Sequence, residues 1–150
     1  MNKNCYEIYF DQYDKLTYRN VGVAMLPMLE PRKDLFTVQK KKKERCKKYD
    51  VILCRREGDR YVLQRVIKVR EGDYVILGDN CESKEASITD EDILGVLISF
   101  KHKGKEYKVN DWRYQFYSHV WLYLYPVRKI CFWLKHFSSK YTDPNIRMSL

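Results

Sequence analysis

Residues 48–80 read KYDVILCRREGDRYVLQRVIKVREGDYVILGDN and contain three apolar runs separated by two short turns, each with a glycine. The runs are dense in β-branched and aromatic residues, which favour strands. Glycine-containing turns between such runs are typical of antiparallel hairpins. The sequence therefore predicts a mainly β protein built on a meander of hairpins. The predicted strands are 50–56, 60–70 and 73–80, and the turns are 57–60 and 71–73.

The segments on either side of this meander extend the same prediction. Aromatic residues recur at helical spacing over residues 3–14, which predicts a short N-terminal helix. Residues 81–90 are polar and are expected to form a loop. Further strands are predicted at 16–23, 35–39 and 92–104.

The C-terminal part differs in composition and predicts helices. Residues 116–137 are strongly apolar and aromatic and are interrupted by Pro126, so we expect two short helices, followed by a polar, frayed end at 138–150. The second helix combines apolar and basic residues and could lie on an anionic membrane surface. Packing on its own domain or in a homodimer are the alternatives. The predicted organisation is a β domain at 1–110 and a helical, aromatic-rich basic tail at 111–150.

Charge and cysteine content bound the function. The net charge is +9, which favours acidic partners, and the run at 40–48 is predicted to be a solvated loop with lipid or nucleic acid as its alternative contacts. Nucleic acid is not the expected partner. Five scattered cysteines predict a reducing, cytoplasmic location, peripheral to a membrane if the tail binds one. The histidines are dispersed, so neither a metal nor a cofactor is expected.

Three segments, taken in order, resemble the type I signal peptidases and LexA-like repressor-cleavage proteins, a superfamily of serine peptidases. They are GVAMLPML at 22–29, KYDVILCRREGDRYVLQRVIKV at 48–69, and YVILGDN at 74–80 followed by DILGVL at 92–97. The resemblance implies coiled antiparallel sheets with a short N-terminal helix and a helical tail. It also implies a groove that binds extended peptide as an added strand.

The residues that would carry the chemistry of this superfamily are replaced. Its first segment is normally Gly-x-Ser-Met-x-Pro-x-Leu, so Ala24 stands at the nucleophile position. The base precedes an Arg-Val-Ile step, which places Gln64 at the base position. A serine hydroxyl needs a neighbouring base to become nucleophilic, and Gln64 accepts no proton near neutral pH. The chain is therefore predicted to be inactive as written.

The resemblance assigns roles to five further residues. Asp79 stands at the position that supports the base, while the substrate side would be formed by Gly22, Met25, Pro27 and Arg65. A turn-forming aspartate that bonds to backbone is the alternative for Asp79.

Three functions remain open from the sequence. The first is an inactive peptidase-like domain that binds an extended peptide, a precursor-protein segment or a partner. The second is an active-site variant of a serine endopeptidase that processes leader or precursor peptides. The third is a basic module that binds anionic membrane or nucleic acid. Whether residues 24 and 64 are natural or engineered also stays open.

Overall fold

The computed structural model describes residues 5–58 and 60–141, with side chains as far as residue 135. Over these residues the protein is mainly β, with an eight-stranded antiparallel sheet and three α-helices. The helices are α1 (Cys5–Gln12), α2 (Trp112–Tyr123) and α3 (Tyr125–Tyr141). The strands are β1 (Lys15–Arg19), β2 (Leu35–Lys40), β3 (Val51–Arg56), β4 (Arg60–Val69), β5 (Tyr74–Leu77), β6 (Glu85–Ile88), β7 (Ile93–His102) and β8 (Lys105–Lys108).

The sheet combines a local meander with one long-range insertion. Its strand order is β1-β2-β7-β3-β4-β5-β6, and β8 pairs with one end of β7. The strands β3 to β5 follow one another as hairpins, which confirms the prediction made from residues 48–80, and β6 adds a further hairpin that was not predicted. β7 lies between β2 and β3 and so joins the two halves of the chain.

Three sequence predictions about strands need correction. The predicted loop at 81–90 contains β6, which pairs with β5 although it has only one buried apolar side chain, Ile88. The predicted strand at 16–23 ends at Arg19. The predicted strand at 92–104 is divided, because Lys103 and Gly104 both have positive φ and turn the chain from β7 into β8.

β4 carries side chains into two separate hydrophobic cores. Leu63 belongs to the larger core, which also receives Phe10 of α1 and Tyr114 of α2. Val66 belongs to a second core, with Ile52 among its members. Successive side chains of a strand point to opposite faces, so β4 separates the environment of Gln64 from that of Arg65.

The two tail helices are confirmed, although they are longer than predicted. α2 and α3 together span nearly all of residues 112–141, and Pro126 lies in the first turn of α3, where its missing N–H costs no hydrogen bond. Part of the predicted frayed end, 138–141, is helical, and the rest of that prediction lies outside the described residues. Within the described part of the chain, no helix is long and apolar enough to cross a membrane.

Candidate functional site

The segment that contains Ala24 lies in a loop between β1 and β2, closed by two buried polar residues. The Asn20 amide donates to the carbonyl oxygens of Gly22 (2.9 Å) and Leu29 (3.3 Å), and its backbone N–H donates to the Asp34 carbonyl (2.9 Å). The Asp34 carboxylate accepts from the backbone N–H of Glu30 at 2.6 Å. We call residues 20–34 the Ala24 loop. These hydrogen bonds hold the two ends of the loop together.

Ala24 is held tightly against the turn that follows β5. The backbone N–H of Asn80 donates to the Ala24 carbonyl at 2.8 Å. A Cβ atom added to Gly78 would lie 2.8 Å from that carbonyl oxygen and 3.2 Å from the Ala24 Cβ. Gly78 therefore allows the two backbones to approach, which explains why glycine is needed in the Gly78-Asp79-Asn80 segment.

Gln64 lies on β4, one residue before the β4–β5 ladder begins with Arg65 and Leu77. At this point its partner strand is β3, where it pairs with Ile52. Gln64 borders a polar cavity together with Arg56, Arg60 and Glu85. Ala24 borders a different cavity, so the two predicted dyad positions do not line one site.

The side chain of Gln64 is buried and only half satisfied. It is 5 % exposed, and its Nε2 donates to the Glu85 carboxylate of β6 at 2.8 Å. Its Oε1 is buried and has no hydrogen-bond partner among the described residues. Arg56 forms an ion pair with the same Glu85 carboxylate. The amide is therefore oriented by Glu85, and an unused acceptor remains at the position predicted for the base.

Arg65 and Asp79 form a buried ion pair on the opposite face of β4. Each side chain is 2 % exposed, and two nitrogens of the guanidinium donate to the two carboxylate oxygens at 2.8 Å. Arg65 also donates to Ser118 (2.8 Å) and to the Tyr114 hydroxyl (3.2 Å) of α2. Burial alone would lower the pKa of Arg65, but the hydrogen bonds and charge of Asp79 outweigh it and raise that pKa.

The pairing of Arg65 with Asp79 corrects two site assignments. Asp79 engages Arg65 and accepts from the Tyr117 hydroxyl at 3.0 Å, so its carboxylate does not orient the side chain at position 64. Arg65 was assigned to the substrate side, but its donors are occupied inside the protein. The reason is the alternation of β4, which turns Arg65 away from the face that Gln64 occupies.

The remaining predicted site residues surround the Ala24 loop. Met25 is 1 % exposed and packs in the larger core, so it anchors the loop and only its edge borders the adjacent cavity. Gly22 also borders that cavity, and a Cβ added to it would meet no atom within 4 Å. Pro27 follows a cis peptide bond and borders clefts beside α2 and α3.

A groove lies between the start of the Ala24 loop and β4. Residues 18–22 and 61–63 border its cavity of about 120 Å³, and Ala24 borders it too. Among the described strands, residues 60–64 of β4 pair only with β3, because the β5 ladder begins at Arg65, and β1 pairs only with β2. Both sides of the groove therefore present strand backbone that lacks a second partner strand. We call this the β1–β4 groove.

Tyr6 of α1 covers part of the β1–β4 groove. Its ring lies 5.6 Å from that of Tyr18 on β1, edge-on, and 4.8 Å from that of Tyr61 on β4. Burial and a hydrogen bond with Tyr18 raise the pKa of Tyr6 to about 12. The N-terminal helix thus bridges the two sides of the groove with a neutral aromatic ring.

Cys81, Glu85 and Tyr6 were not identified as site residues from the sequence. Both the Cys81 Sγ and the Ala24 Cβ would touch a Cβ placed on Gly78, so these two atoms lie within about 6 Å of each other. Only its position directly after Gly-Asp-Asn pointed to Cys81. No local signal marks Glu85, because its strand is polar, and the aromatic spacing of 3–14 predicted a helix without showing where it would pack.

Neither a metal-binding cluster nor a similar known protein bears on this site. Among the described side chains, which extend as far as residue 135, no three His, Cys, Asp or Glu side chains converge to hold a metal ion. Comparison with models of known protein families, with curated proteins and with solved structures returned no match to this chain.

Proposed function

We propose that this protein is a signal peptidase-like domain that is catalytically inactive in this form and binds an extended peptide, such as a segment of a precursor or partner protein. One observation supports this most directly: Ala24 borders the β1–β4 groove and packs against Gly78. Ala24 offers no nucleophile and Gln64 offers no base, so the proposal is binding without cleavage.

Strand addition is the binding mode that the groove favours. An extended peptide gains main-chain hydrogen bonds from an exposed strand edge, and alternate side chains enter pockets. Here β1 and residues 60–64 of β4 each offer such an edge. The apolar side chains of Phe36, Leu53 and Leu63 border the cavity between them and would accept an apolar peptide side chain.

The described site holds no group ready to attack a peptide bond. The Ala24 methyl group cannot form a covalent bond, and an amide such as Gln64 does not remove a proton. Cys81 is the nearest thiol, but burial raises its pKa, which keeps it protonated at neutral pH. Binding without cleavage is therefore the chemistry that these residues support.

Gln64 lies outside the lining of this groove. It borders a separate polar cavity with Arg56, Arg60 and Glu85. Its Nε2 is committed to Glu85, and its buried Oε1 has no hydrogen-bond partner among the described residues, which costs about 1–3 kcal/mol. The peptide-binding proposal does not use this acceptor.

The peptide-binding proposal is tested by comparing the same substitution at two glycines, one beside the groove and one away from it. Gly22 borders the groove and Gly72 lies in the turn between β4 and β5; an added Cβ meets no atom within 4 Å at either one. Peptides that bind the unmodified protein are selected from a displayed random library. One selected peptide is synthesised, and its Kd is measured by fluorescence anisotropy. We expect Gly22→Trp to weaken binding at least about tenfold, which is about 1.4 kcal/mol. Gly72→Trp should bind as the parent does. Equal affinity for all three proteins would show that the groove is not the binding site.

The serine endopeptidase alternative is kept because Ala24, at the predicted nucleophile position, borders the β1–β4 groove and packs against Gly78. The double variant Ala24→Ser, Gln64→His is incubated with the selected peptide and products are read by mass spectrometry. Cleavage that disappears in the single variant Gln64→His would support an enzyme whose dyad has been replaced. Cleavage by the unmodified protein would contradict the assignment of residues 24 and 64.

A further inference from the structure

The outward face of α3 is apolar. Val127, Ile130 and Leu134 lie on one side of the helix and are 55 %, 58 % and 52 % exposed. Arg128 is on the inward side, where its guanidinium donates to the Asp79 and Trp121 carbonyl oxygens. The helix therefore directs a charged residue toward the protein and apolar residues toward solvent, the reverse of a helix on the surface of a globular domain.

α2 continues this apolar face. Trp112 is 73 % exposed, Phe116 65 % and Tyr123 85 %, and Leu124 joins them at the junction with α3. A soluble monomer rarely leaves so many large apolar side chains together in water, and such a patch marks an interaction site. We call it the α2–α3 apolar surface; it comprises Trp112, Phe116, Val120, Tyr123, Leu124, Val127, Ile130, Trp133 and Leu134.

The charged residues around this surface indicate which kind of partner it binds. Residues 112–141 contain no aspartate or glutamate, while Arg113, Lys129 and Lys135 are exposed beside the apolar side chains. A symmetric dimer through this face would bring cations against cations, which destabilises association. An anionic lipid surface complements the same charges and accepts the apolar side chains between its headgroups.

We propose that the α2–α3 apolar surface binds the surface of an anionic membrane, with α3 lying in the plane of the headgroups. Trp133, 63 % exposed, extends from this face, and tryptophan is enriched at membrane interfaces. The helix lies on the bilayer, since no helix of the described residues is able to cross it. This inference does not depend on the peptide-binding proposal.

Two contacts would keep the peptide groove close to that membrane. Trp121 Nε1 donates to the Asp79 carbonyl at 2.9 Å, and Arg128 donates to the same oxygen. Asn80, the next residue, bonds to the Ala24 carbonyl. The helices that bind lipid are thus linked through residues 79 and 80 to Ala24, which borders the β1–β4 groove.

Vesicle flotation tests the proposal with a matched pair of substitutions. The vesicles are pure phosphatidylcholine or phosphatidylcholine with about one third phosphatidylglycerol. Ile130→Glu places a charge in the proposed surface, and Ile8→Glu places the same charge on α1 at a similar exposure, 50 % against 58 %. We expect the parent and Ile8→Glu to float with anionic vesicles only, more weakly at high salt. Ile130→Glu should lose at least about nine tenths of the binding.

A second variant keeps the test independent of folding effects at position 130. Lys129→Glu with Lys135→Glu changes only exposed cations and should likewise reduce binding to anionic vesicles. No flotation of the parent at low salt, or equal flotation of all variants, would overturn the proposal. Light scattering that shows a dimer, abolished by Ile130→Glu, together with no vesicle binding, would assign this face to a second copy and would also overturn it.

Discussion

The buried pair of Arg65 and Asp79 links three parts of the molecule at the scale of single residues. It joins β4 to the turn after β5, and through Ser118 and Tyr114 it reaches α2. A buried ion pair is stabilising only when all its polar groups are satisfied. Here the carboxylate has three donors and the guanidinium has several acceptors, so each partner depends on the other.

Asp79→Asn should destabilise the protein strongly, because it leaves the Arg65 charge buried without its counter-ion. Removing one member of such a pair costs about 3–5 kcal/mol. Urea unfolding followed by circular dichroism measures the loss, and the double variant Arg65→Leu, Asp79→Leu should lose less than the two single variants together. Lys33→Met, which breaks an exposed pair with Glu30, is the control and should leave the midpoint unchanged. An Asp79→Asn protein as stable as the parent would contradict the assignment.

Gly78 is the second residue whose identity the site requires. A methyl group there would lie 2.8 Å from the Ala24 carbonyl oxygen, which belongs to backbone and has little room to move. We expect Gly78→Ala to cost about 1–3 kcal/mol, as overpacking does elsewhere. Gly72→Ala, with no atom within 4 Å of its added Cβ, serves as the control in the same unfolding assay. Equal stability of the two variants would mean that the Ala24 loop is not held against β5.

At the scale of elements, the Ala24 loop depends on the carboxylate of Asp34. Burial alone would raise the pKa of Asp34, but hydrogen bonds from His102 and from the backbone N–H groups of Glu30 and Lys103 outweigh it and lower that pKa. A carboxyl whose pKa is lower in the folded state stabilises the fold above its unfolded pKa of about 3.9 and loses that effect as pH falls through its folded value.

Asp34→Asn should therefore destabilise the protein at neutral pH and much less in acid. Above the unfolded pKa only the parent carries the carboxylate that the loop holds, while at low pH both side chains are neutral. Thermal unfolding between pH 7 and pH 2 gives the difference in Tm at each pH. A difference that stays constant over this range would show that ionisation of Asp34 does not contribute.

α1 is the element that controls access to the β1–β4 groove. Its Tyr6 ring spans Tyr18 and Tyr61, so a peptide that fills the groove must displace or rearrange this ring. Tyr6→Ala should tighten the binding of a selected peptide by about threefold to tenfold, because the peptide then no longer has to break the ring contacts that Tyr6 makes in the free protein. Tyr9→Ala, on the same helix but with its ring against that of Tyr13, is the control. Weaker binding by Tyr6→Ala would mean that Tyr6 is part of the peptide site.

At the scale of the whole molecule, prediction succeeded where structure is local. The hairpins of β3, β4 and β5 follow from apolar runs and intervening turns, and the helix pair follows from composition and Pro126. β6 and β8 were missed, because short polar strands are stabilised by their partner strands. The insertion of β7 between β2 and β3 pairs residues that are 39 to 66 positions apart in the chain, which no local sequence pattern predicts.

The sequence by itself determined which atoms are available at the site. Ala24 has no hydroxyl and Gln64 has no titratable group, and folding cannot change either fact. Only the tertiary structure decided how the other residues are used: Arg65 is directed to Asp79, Glu85 orients Gln64, Tyr6 covers the groove, and α3 turns its apolar face outward. The physical reason is that covalent identity is fixed along the chain, whereas burial, ion pairing and strand partnership arise between residues that meet only when the sheet is complete.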